Sequence, residues 1–583
     1  MKILLNFDND KFITNMRHII LIFSLLLFAA TAIQAQTTWQ IGFPNSADVT
    51  ATLNDDGRFI ISGTGAMQDF PDPFDVPWFD IRYKIIRVEI QNGITTIGES
   101  LVAFSKKLTT VKIPSSVTSI PNNAFFGCTK LTAINVDVNN ANYSSNNGVL
   151  YNKTKTTLVC CAAGKTGAYT IPNTVTSIYE FAFAYCENLT SVTIPSSVTV
   201  IPKHAFFGCR GLKSISIPNS VTSIDEWAFS FCGFTSVSIP NSITTISAST
   251  FQGCSNLASV IIPNSVISIG YNAFTLCGLT SITIPNSVKS VDDYAFYGCT
   301  GLSTIIIPNS VTTMGNSVFY GCSGLKTVTI GNSLAAIGDA VFVGCINLTT
   351  ISVDTNNPNF CSDDGVLFDK NKTTLIRYPA GKQGSYTIPN SVNSIAKDAF
   401  GSCKGLTSVT IPNSVTSIGR AAFGKCYGLT SLTIPISVTS IEDWAFSYCW
   451  SLTDVTVFWT TTSSIVSSES MFYAVGVSNV RLHIPQGTLS IYQAALEWKN
   501  FLLVDDVIDI KEALSKSMKI YPNPVKDELL IESGELTVKK IKIIDVTGKI
   551  VENSTNVSAL PQGIYFVKIE TDKGIITQKI VKE

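Results

Sequence analysis

Among the side chains that do chemistry, the cysteines stand out, because twelve of the fifteen share one place in a recurring phrase. Cys128, Cys186, Cys209, Cys232, Cys254, Cys277, Cys299, Cys322, Cys345, Cys403, Cys426 and Cys449 each follow a Phe by three residues. A structural zinc needs clustered ligands at C-x2–4-C spacing, and that spacing does not occur. If the phrase stacks turn upon turn, neighbouring cysteines lie about 5 Å apart, close enough for a disulfide by Cα distance alone. Stacked side chains point the same way, however, which holds their Cβ atoms too far apart for S–S geometry. The expectation is a ladder of reduced thiols, each acting as a small buried hydrophobe. Cys160, Cys161 and Cys361 lie outside this register and receive no role.

Catalysis finds little footing. The three histidines are scattered at His18, His204 and His483, and no G-x-S-x-G, H-E-x-x-H or P-loop is present. The acid pairs Asp225–Glu226, Asp292–Asp293 and Glu442–Asp443 stand side by side on what reads as an exposed turn. Without burial their pKa values stay ordinary, so solvated surface is preferred over a glycosidase pair. No enzyme activity, cofactor or metal is expected. A net charge of −1 with only 14% charged residues argues against nucleic acid as a partner, and 45% hydrophobic residues argue against disorder.

Two surface stripes are better candidates. Ser191/Thr193, Ser214/Ser216, Ser236/Ser238, Ser281/Thr283, Thr327/Thr329, Ser408/Thr410 and Ser431/Thr433 alternate with apolar residues and form a hydroxyl ladder. The bland reading, β-propensity plus solubility, is preferred; the sharper one is a face that binds glycan or protein. The second stripe is aromatic: Phe126, Tyr185, Phe207, Trp227, Phe231, Tyr294, Tyr297, Tyr320, Trp444 and Tyr448. It suits stacking on sugars or protein contacts, or packing between neighbouring turns; both readings stay open.

The elements that position these residues are repeats. Pro195, Pro218, Pro240, Pro263, Pro285 and Pro308 recur at steps of 22 or 23 residues, as do Pro389, Pro412 and Pro435. A fixed period in this range means a solenoid whose turns bury one another's apolar edges. One turn reads F-x-x-C-x-x-L-x-x-V-x-I-P-x-x-V-x-x-I, with Phe183, Cys186, Leu189, Val192, Ile194, Val198 and Ile201 pointing inward. The V-x-I phrase alternates and is β-branched, hence a strand, and Pro ends it. The A-F-x-x-C phrase has helical i, i+3 spacing but room for one turn only. The predicted class is mainly β with short helical turns.

The first turn is imperfect, with Val102 and Ser105 in place of Phe and Cys, and ATLNDDGRFIISGTGAM before it reads as a hairpin that caps the stack. Two inserts resemble each other, VDVNNANYSSNNGVLYNKTKTTLVCCAAGKTGAYTIP and VDTNNPNFCSDDGVLFDKNKTTLIRYPAGKQGSYTIP. Each holds a GVL[YF]…TTL hairpin; its Asx-rich opening does not fit a calcium loop and reads as ordinary Asx turns. After Trp450 the period fails; a last strand and an amphipathic helix anchored by Tyr492, Leu496 and Trp498 are expected. The final segment breaks into short alternating strands, a small antiparallel sandwich. At the start, IILIFSLLLFAA follows basic residues and precedes TAIQAQ, which reads as a secretory signal cleaved between Ala35 and Gln36. Met1 and Met16 are both candidate starts. No membrane span is expected in the mature chain.

The I-P-N-S-V-T-S-I-G phrase at 411–419, A-F-x-x-C at 422–426, GTGAM at 63–67 and Pro77-Trp78 resemble the BspA-like leucine-rich repeats of bacterial surface proteins. That resemblance implies a curved right-handed solenoid used in adhesion or in host and matrix binding. The tail resembles a type IX secretion sorting domain of the A type. It is carried by Tyr521-Pro522-Asn523-Pro524, the turn DVTGK with Gly548, Gly563-Ile564-Tyr565 and Lys579-Ile580-Val581. This implies a Gram-negative cell, Sec export, recognition of the tail by the type IX machinery, and a chain released or held at the outer surface. Lys579-Ile580-Val581 is expected to be an edge strand open to a transport partner. The expected organisation is a signal peptide over 1–35, a cap hairpin over 36–85 and a solenoid over 86–455, with inserts at about 135–170 and 352–387. A C-terminal cap over 456–509, a linker over 510–517 and the sorting domain over 518–583 follow. The functional expectation is a monomeric, non-enzymatic binding protein for an extracellular protein or glycan, the alternative being a surface-layer spacer without a ligand.

Overall fold

The computed structural model describes residues 37–466, 468, 470–508, 518–533, 537–571 and 574–583. The expected signal peptide with Ala35 and Gln36, and the expected linker over 510–517, lie outside the described residues. The chain is mainly β, built of stacked coils, and divides into two compact units.

The first unit holds the described residues to Val198, with 204–211. Its cap is a hairpin, Val49–Leu53 against Arg58–Gly63, and Thr37–Gln40 pairs antiparallel with the former. Arg58–Gly63 then pairs parallel with Arg87–Ile90, which pairs with Thr110–Ile113 and then with Ala133–Val136. In-register rows such as Phe59, Val88, Val111 and Ile134 point into one core, where Trp78 packs 4.8 Å from Phe59 and donates from Nε1 to the Leu101 carbonyl.

The second unit holds 199–203 and the described residues from Leu212 onward. Its strands stack parallel and in register, as in Thr304–Ile307, Thr327–Ile330 and Thr350–Val353. A second row of two-residue strands runs from Thr245–Ile246 through Ser268–Ile269, Ser290–Val291 and Thr313–Met314 to Ala336–Ile337. The ladder phenylalanines stack face to face. Phe251, Phe274, Phe296 and Phe319 follow one another at 5.4 Å with interplanar angles of 4–6°.

The A-F-x-x-C phrase differs from the helical turn its spacing suggests. Its amides alternate between two directions: Ala295, Tyr297 and Cys299 donate three residues back, to Asp292, Tyr294 and Phe296, while Tyr294, Phe296 and Gly298 donate to Asn316, Val318 and Tyr320 of the next coil. A helix would send every N–H along its own axis; here half bind the neighbouring coil. The reversal requires left-handed backbone, at Tyr294 (φ 59°) and Gly298 (φ 68°), a conformation that costs most residues energy and glycine none.

Both inserts add a three-stranded meander that joins the two-residue row. Tyr143–Asn146, Val149–Asn152 and Thr157–Cys161 pair antiparallel in turn, and the last pairs parallel with Ser177–Ile178. Phe360–Asp363, Val366–Asp369, Thr374–Arg377 and Ser394–Ile395 repeat the plan. The expected hairpin is present, with an additional strand before it.

At the C-terminal end of the stack, Arg481–Pro485 pairs with Asp454–Val457, and Leu502–Ile508 adds a further parallel strand that the sequence reading missed. Tyr492 and Trp498 are fully buried, donating to the carbonyls of Trp459 and Val466. Leu496 is 62% exposed and anchors nothing, because the helix Leu489–Ala494 ends before it.

The tail has its own core, from Met518 and Ile520 to Val567 and Ile580, between a two-stranded and a four-stranded antiparallel sheet. Gly574–Lys582 is the edge of the larger sheet. Its last residues are not open as expected: Asn523 accepts from the Val581 amide and donates to the Lys579 carbonyl, and Val525 exchanges backbone bonds with Val581 and Glu583.

Candidate functional site

The thiol ladder is built from the backbone outward. Between successive regular coils, the Phe carbonyl of one accepts from the cysteine of the next. Cys209 donates to Phe183 at 3.0 Å in the first unit; Cys254, Cys277, Cys299, Cys322 and Cys345 donate to Phe229, Phe251, Phe274, Phe296 and Phe319 at 3.0–3.2 Å in the second. Burial pushes the thiols of Cys254, Cys299 and Cys449 up to about 12. A thiol held protonated is a poor nucleophile and a poor metal ligand. No disulfide is present among the described residues.

Serine has a matching place, which the sequence reading did not single out. In the I-P-N-S-V phrase the hydroxyl of Ser265 donates to the Ile243 carbonyl, Ser414 to Val392 and Ser437 to Val415, each one coil back. Its recurrence just before the inward Val was the available signal.

The hydroxyl stripe lies where the alternation places it. Thr193, Ser214, Ser216, Ser236, Ser238, Thr327, Thr329, Thr410, Ser431 and Thr433 are exposed, with Ser191 and Ser408 half-buried. Thr327 and Thr329 stand in register with Thr304 and Ile306, and Ser408 with Ser431. Ser281 and Thr283 are exposed, but no strand forms there. Ile261 and Ile306 interrupt the stripe at 68% and 65% exposure, apolar residues on a face read as purely hydroxyl.

The aromatic stripe packs against itself. Tyr297 and Tyr320 stack at 5.3 Å, Tyr185 meets Phe126 and Phe207 edge-on, and Tyr448 meets Tyr473 edge-on. Trp227, Tyr294, Tyr297 and Tyr320 are half-buried; Trp444 remains 41% exposed with Arg420 4.3 Å over its ring.

The acid pairs are tied to neighbouring coils. Asp293 accepts from the Asn316 amide and side chain, Glu226 meets Lys203 at 3.1 Å, and Glu442 accepts from the Arg420 amide. The expectation of ordinary pKa values fails at Asp292, which partial burial and then the Asp293 charge push upward. His483 lies 3.2 Å from Asp454, whose carboxyl is held well below the usual range chiefly by the hydrogen bond from Arg481.

Two adjoining cavities open in the second unit beside its insert. One, of about 380 Å³, is lined by Arg377, Phe342, Asp339, Lys397 and Asp398 among others; the other, of about 490 Å³, by Tyr320, Val343, Asp398, Gly401, Trp444 and Tyr448 among others. Both are notches in the Phe-Cys face. The insert coil puts Tyr378 in the Phe position, stacked 5.1 Å from Phe400, then leaves the turn through Pro379-Ala380-Gly381 without the rest of the corner.

Parallel coils in one-to-one register, most of them closed by a hydrogen-bonded Phe-Cys corner, define a solenoid repeat protein with a small antiparallel domain after it. Residues 78–166, 176–299, 267–363 and 378–502 match the BspA type leucine rich repeat region, in six copies, and 519–583 match the secretion system C-terminal sorting domain. The chain belongs to the BspA-type leucine-rich repeat family. It is similar to a leucine-rich repeat protein from Bacteroides ovatus ATCC 8483, at 23% identity over 78% of this chain and 98% of that one, TM-score 0.37. It is also similar to a leucine rich cell surface protein from Faecalibacterium prausnitzii A2-165, at 22% identity over 77% and 96%, TM-score 0.32. A third is the pneumococcal vaccine antigen PcpA, at 20% over 63% and 99%, TM-score 0.39. No curated protein matches. With its sorting domain, the chain is a secreted or cell-surface leucine-rich repeat protein. Among the described residues, no helix is long and apolar enough to cross a membrane.

Proposed function

We propose that this chain is a non-enzymatic binding protein whose repeat surface takes an extracellular protein or glycan, and that a Gram-negative cell exports it through Sec and then the type IX machinery, which reads the tail. The carrying observation is the exposed hydroxyl stripe, in register where Thr327 and Thr329 meet Thr350 and Ser352 and where Ser408 meets Ser431. Such a surface offers hydrogen bonds at fixed spacing with little ordering left to do on binding. Ser191, Thr193, Ser236, Ser238, Thr327, Thr329, Ser408 and Thr410 are the contacts proposed on the hydroxyl side, and Trp227, Tyr294, Tyr297, Tyr320 and Trp444 on the aromatic side. In the tail, Tyr521, Pro522, Asn523, Pro524, Gly548, Gly563, Tyr565 and Lys579 are proposed to build the recognised surface. Asn523 already holds the last strand in place, and the Tyr565 hydroxyl closes on the Pro561 carbonyl.

The test presents the full chain to arrayed glycans and to immobilised extracellular-matrix proteins. Saturable binding that falls on replacing Thr327 and Thr329 together by Lys supports the reading. A chain that binds neither set saturably is a spacer, and one that hydrolyses what it is offered is an enzyme; either outcome overturns it.

A further inference from the structure

The larger cavity beside the second insert occupies the place that rings fill beside the first. The corner after the first insert reads F-A-F-A-Y-C over 181–186, and the corner after the second reads D-A-F-G-S-C over 398–403. Their backbones agree. Phe181 and Asp398 are both left-handed, at φ 58° and 56°, and the amides of Phe183 and Phe400 donate to Ala205 and Ala422 of the following coil. In the first unit five rings pack together across the insert. Phe181 meets Phe126 at 5.0 Å and stacks on His204 at 4.7 Å, while Tyr185 meets Phe126 at 5.1 Å and Phe207 at 5.6 Å. The phrases put Asp398, Val343, Ala421, Ser402 and Gly424 in those five places in the second unit. All five line the cavity of about 490 Å³.

The exchange also brings a carboxylate to the wall. Asp398 is half-buried, no N–H or O–H of the described residues donates to its carboxylate, and neither oxygen is sealed from solvent. Its neighbour Lys397 is drawn off to Asp339 at 2.6 Å. Burial pushes the Asp398 carboxyl upward, although the charges of Arg377, Lys397 and Arg420 pull it down. Three cations therefore already act on it, and Lys425 is a fourth on the cavity wall. A further cation would be repelled by them, and an anion by the carboxylate. The remaining walls include the rings of Tyr320, Trp444 and Tyr448. A neutral ring with one hydrogen-bond donor suits both the walls and the unpaired acceptor.

We propose that this cavity takes an aromatic side chain of a partner protein, tyrosine or tryptophan, whose ring fills the place Phe181 holds in the first unit and whose O–H or N–H donates to Asp398. Both side chains join a large apolar ring to a polar tip, and both anchor protein interfaces for that reason. The volume is within the range of pockets that enclose small groups. This deepens the binding reading above, narrowing its ligand to a protein, and rests on it.

The full chain is tested by saturation-transfer NMR against end-blocked glycine pentapeptides with a central tyrosine, tryptophan, phenylalanine or lysine, and against xylotriose. The tyrosine or the tryptophan peptide is expected to bind about tenfold more tightly than the phenylalanine peptide, with no competition from the lysine peptide or xylotriose. Asp398→Ala erases that preference. Ala340 and Ala421 already hold the same corner position in left-handed backbone, so the fold accepts the change. Asp398→Phe copies the first insert, fills the space and abolishes binding of every peptide. Lys289→Ala, outside the cavity, leaves binding unchanged. Phenylalanine binding as tightly as tyrosine and tryptophan, a preference that survives Asp398→Ala, or binding that survives Asp398→Phe overturns the site. So does competition by the lysine peptide or by xylotriose. If no peptide binds while the chain still holds an arrayed glycan or a matrix protein saturably, the site falls and the broader reading stands; if nothing binds, both fall.

Discussion

The two inserts are built to one plan until two adjacent residues. In both, a fully buried Asn ties the insert to the coil before it. Asn140 donates to the carbonyls of Pro114 and Val117 and accepts from the amides of Asn142 and Tyr143; Asn357 donates to Gly331 and Leu334 and accepts from Asn359 and Phe360. In both, a Lys folds over that Asn: Lys153 and Lys370 each reach its carbonyl at 2.6 Å. The plans part where the meander hands the chain back to the ladder. There the first insert has Cys160 and Cys161, the second Arg377 and Tyr378. Cys161 stands in for the ladder Phe and accepts the thiol of Cys186 on its carbonyl. Tyr378 does the same with Cys403, but Arg377 beside it gathers three carbonyls from the adjoining coils. A shared hydrogen-bond frame thus carries two fillings, one thiol-lined and one with a buried cation beside a notch.

The largest expected effect is common to both regions. Buried thiols that ionise near 9.0 when unfolded are pushed up to about 12 in the coils, as at Cys128 in the first unit and Cys345 in the second. A raised folded pKa means stability fully present below pH 9 and lost as pH climbs toward 12, at about 1.4 kcal/mol per thiol per pH unit. Urea titrations at pH 8, 9, 10 and 11 should show this steep decline. A flat profile would mean the ladder is not buried thiol. The charge of Arg377 favours the Cys345 thiolate, so Arg377→Cys should deepen the loss at that coil and extend it to higher pH, with its onset unchanged.

Exchanging the two fillings comes next. Cys160→Arg forces a cation into a place built around a thiol and should cost about 4 kcal/mol. Arg377→Cys removes three hydrogen bonds, after which Phe342 and Asp398 keep the amides of Cys345 and Gly401 while the Gly401 carbonyl loses its donor, and should cost about 3 kcal/mol. Because repeat arrays need not unfold as one, the readout is amide hydrogen exchange over Thr157–Cys161 and Thr374–Arg377 beside the global transition. Equal, small costs would mean the two sites are interchangeable. Smallest is the effect on the shared frame: Asn140→Ala and Asn357→Ala should each cost about 2–3 kcal/mol, within about 0.5 kcal/mol of one another. A clear inequality there would show that the inserts differ in more than their filling.

Much of this was legible beforehand because the repeat writes its inward positions over and over. Phe183, Cys186, Leu189 and Val192 are buried as the period demands, and the cap hairpin announced itself through Asp-Asp-Gly. What escaped was governed by contacts between coils, which a period does not display. The Phe-Cys spacing looks helical because i, i+3 turns are present, but half of its amides serve the neighbouring coil. Leu496 read as an anchor on apolar character alone, although the helix stops short of it. Arg377 sits where most coils keep Ala and the others an uncharged residue, a substitution visible in the aligned phrases, yet only the fold shows which carbonyls it serves. Lys579–Val581 read as an open edge because the residues that cover it, Asn523 and Val525, lie more than fifty positions earlier.

The coil-to-coil bonds carry a consequence for how such a chain can change. Within a run of regular coils, each Phe-Cys corner takes its hydrogen bonds from the coil before and gives the same bonds to the coil after. A whole coil copied or lost by recombination at the matching phrase therefore leaves no carbonyl or thiol stranded at the seam. Length is close to a free variable in those runs, and copy number can drift without a compensating substitution. The inserts lack that freedom. Asn140, Asn357 and Arg377 bind particular neighbours, and a duplication ending beside them would have to bring the partner coil along.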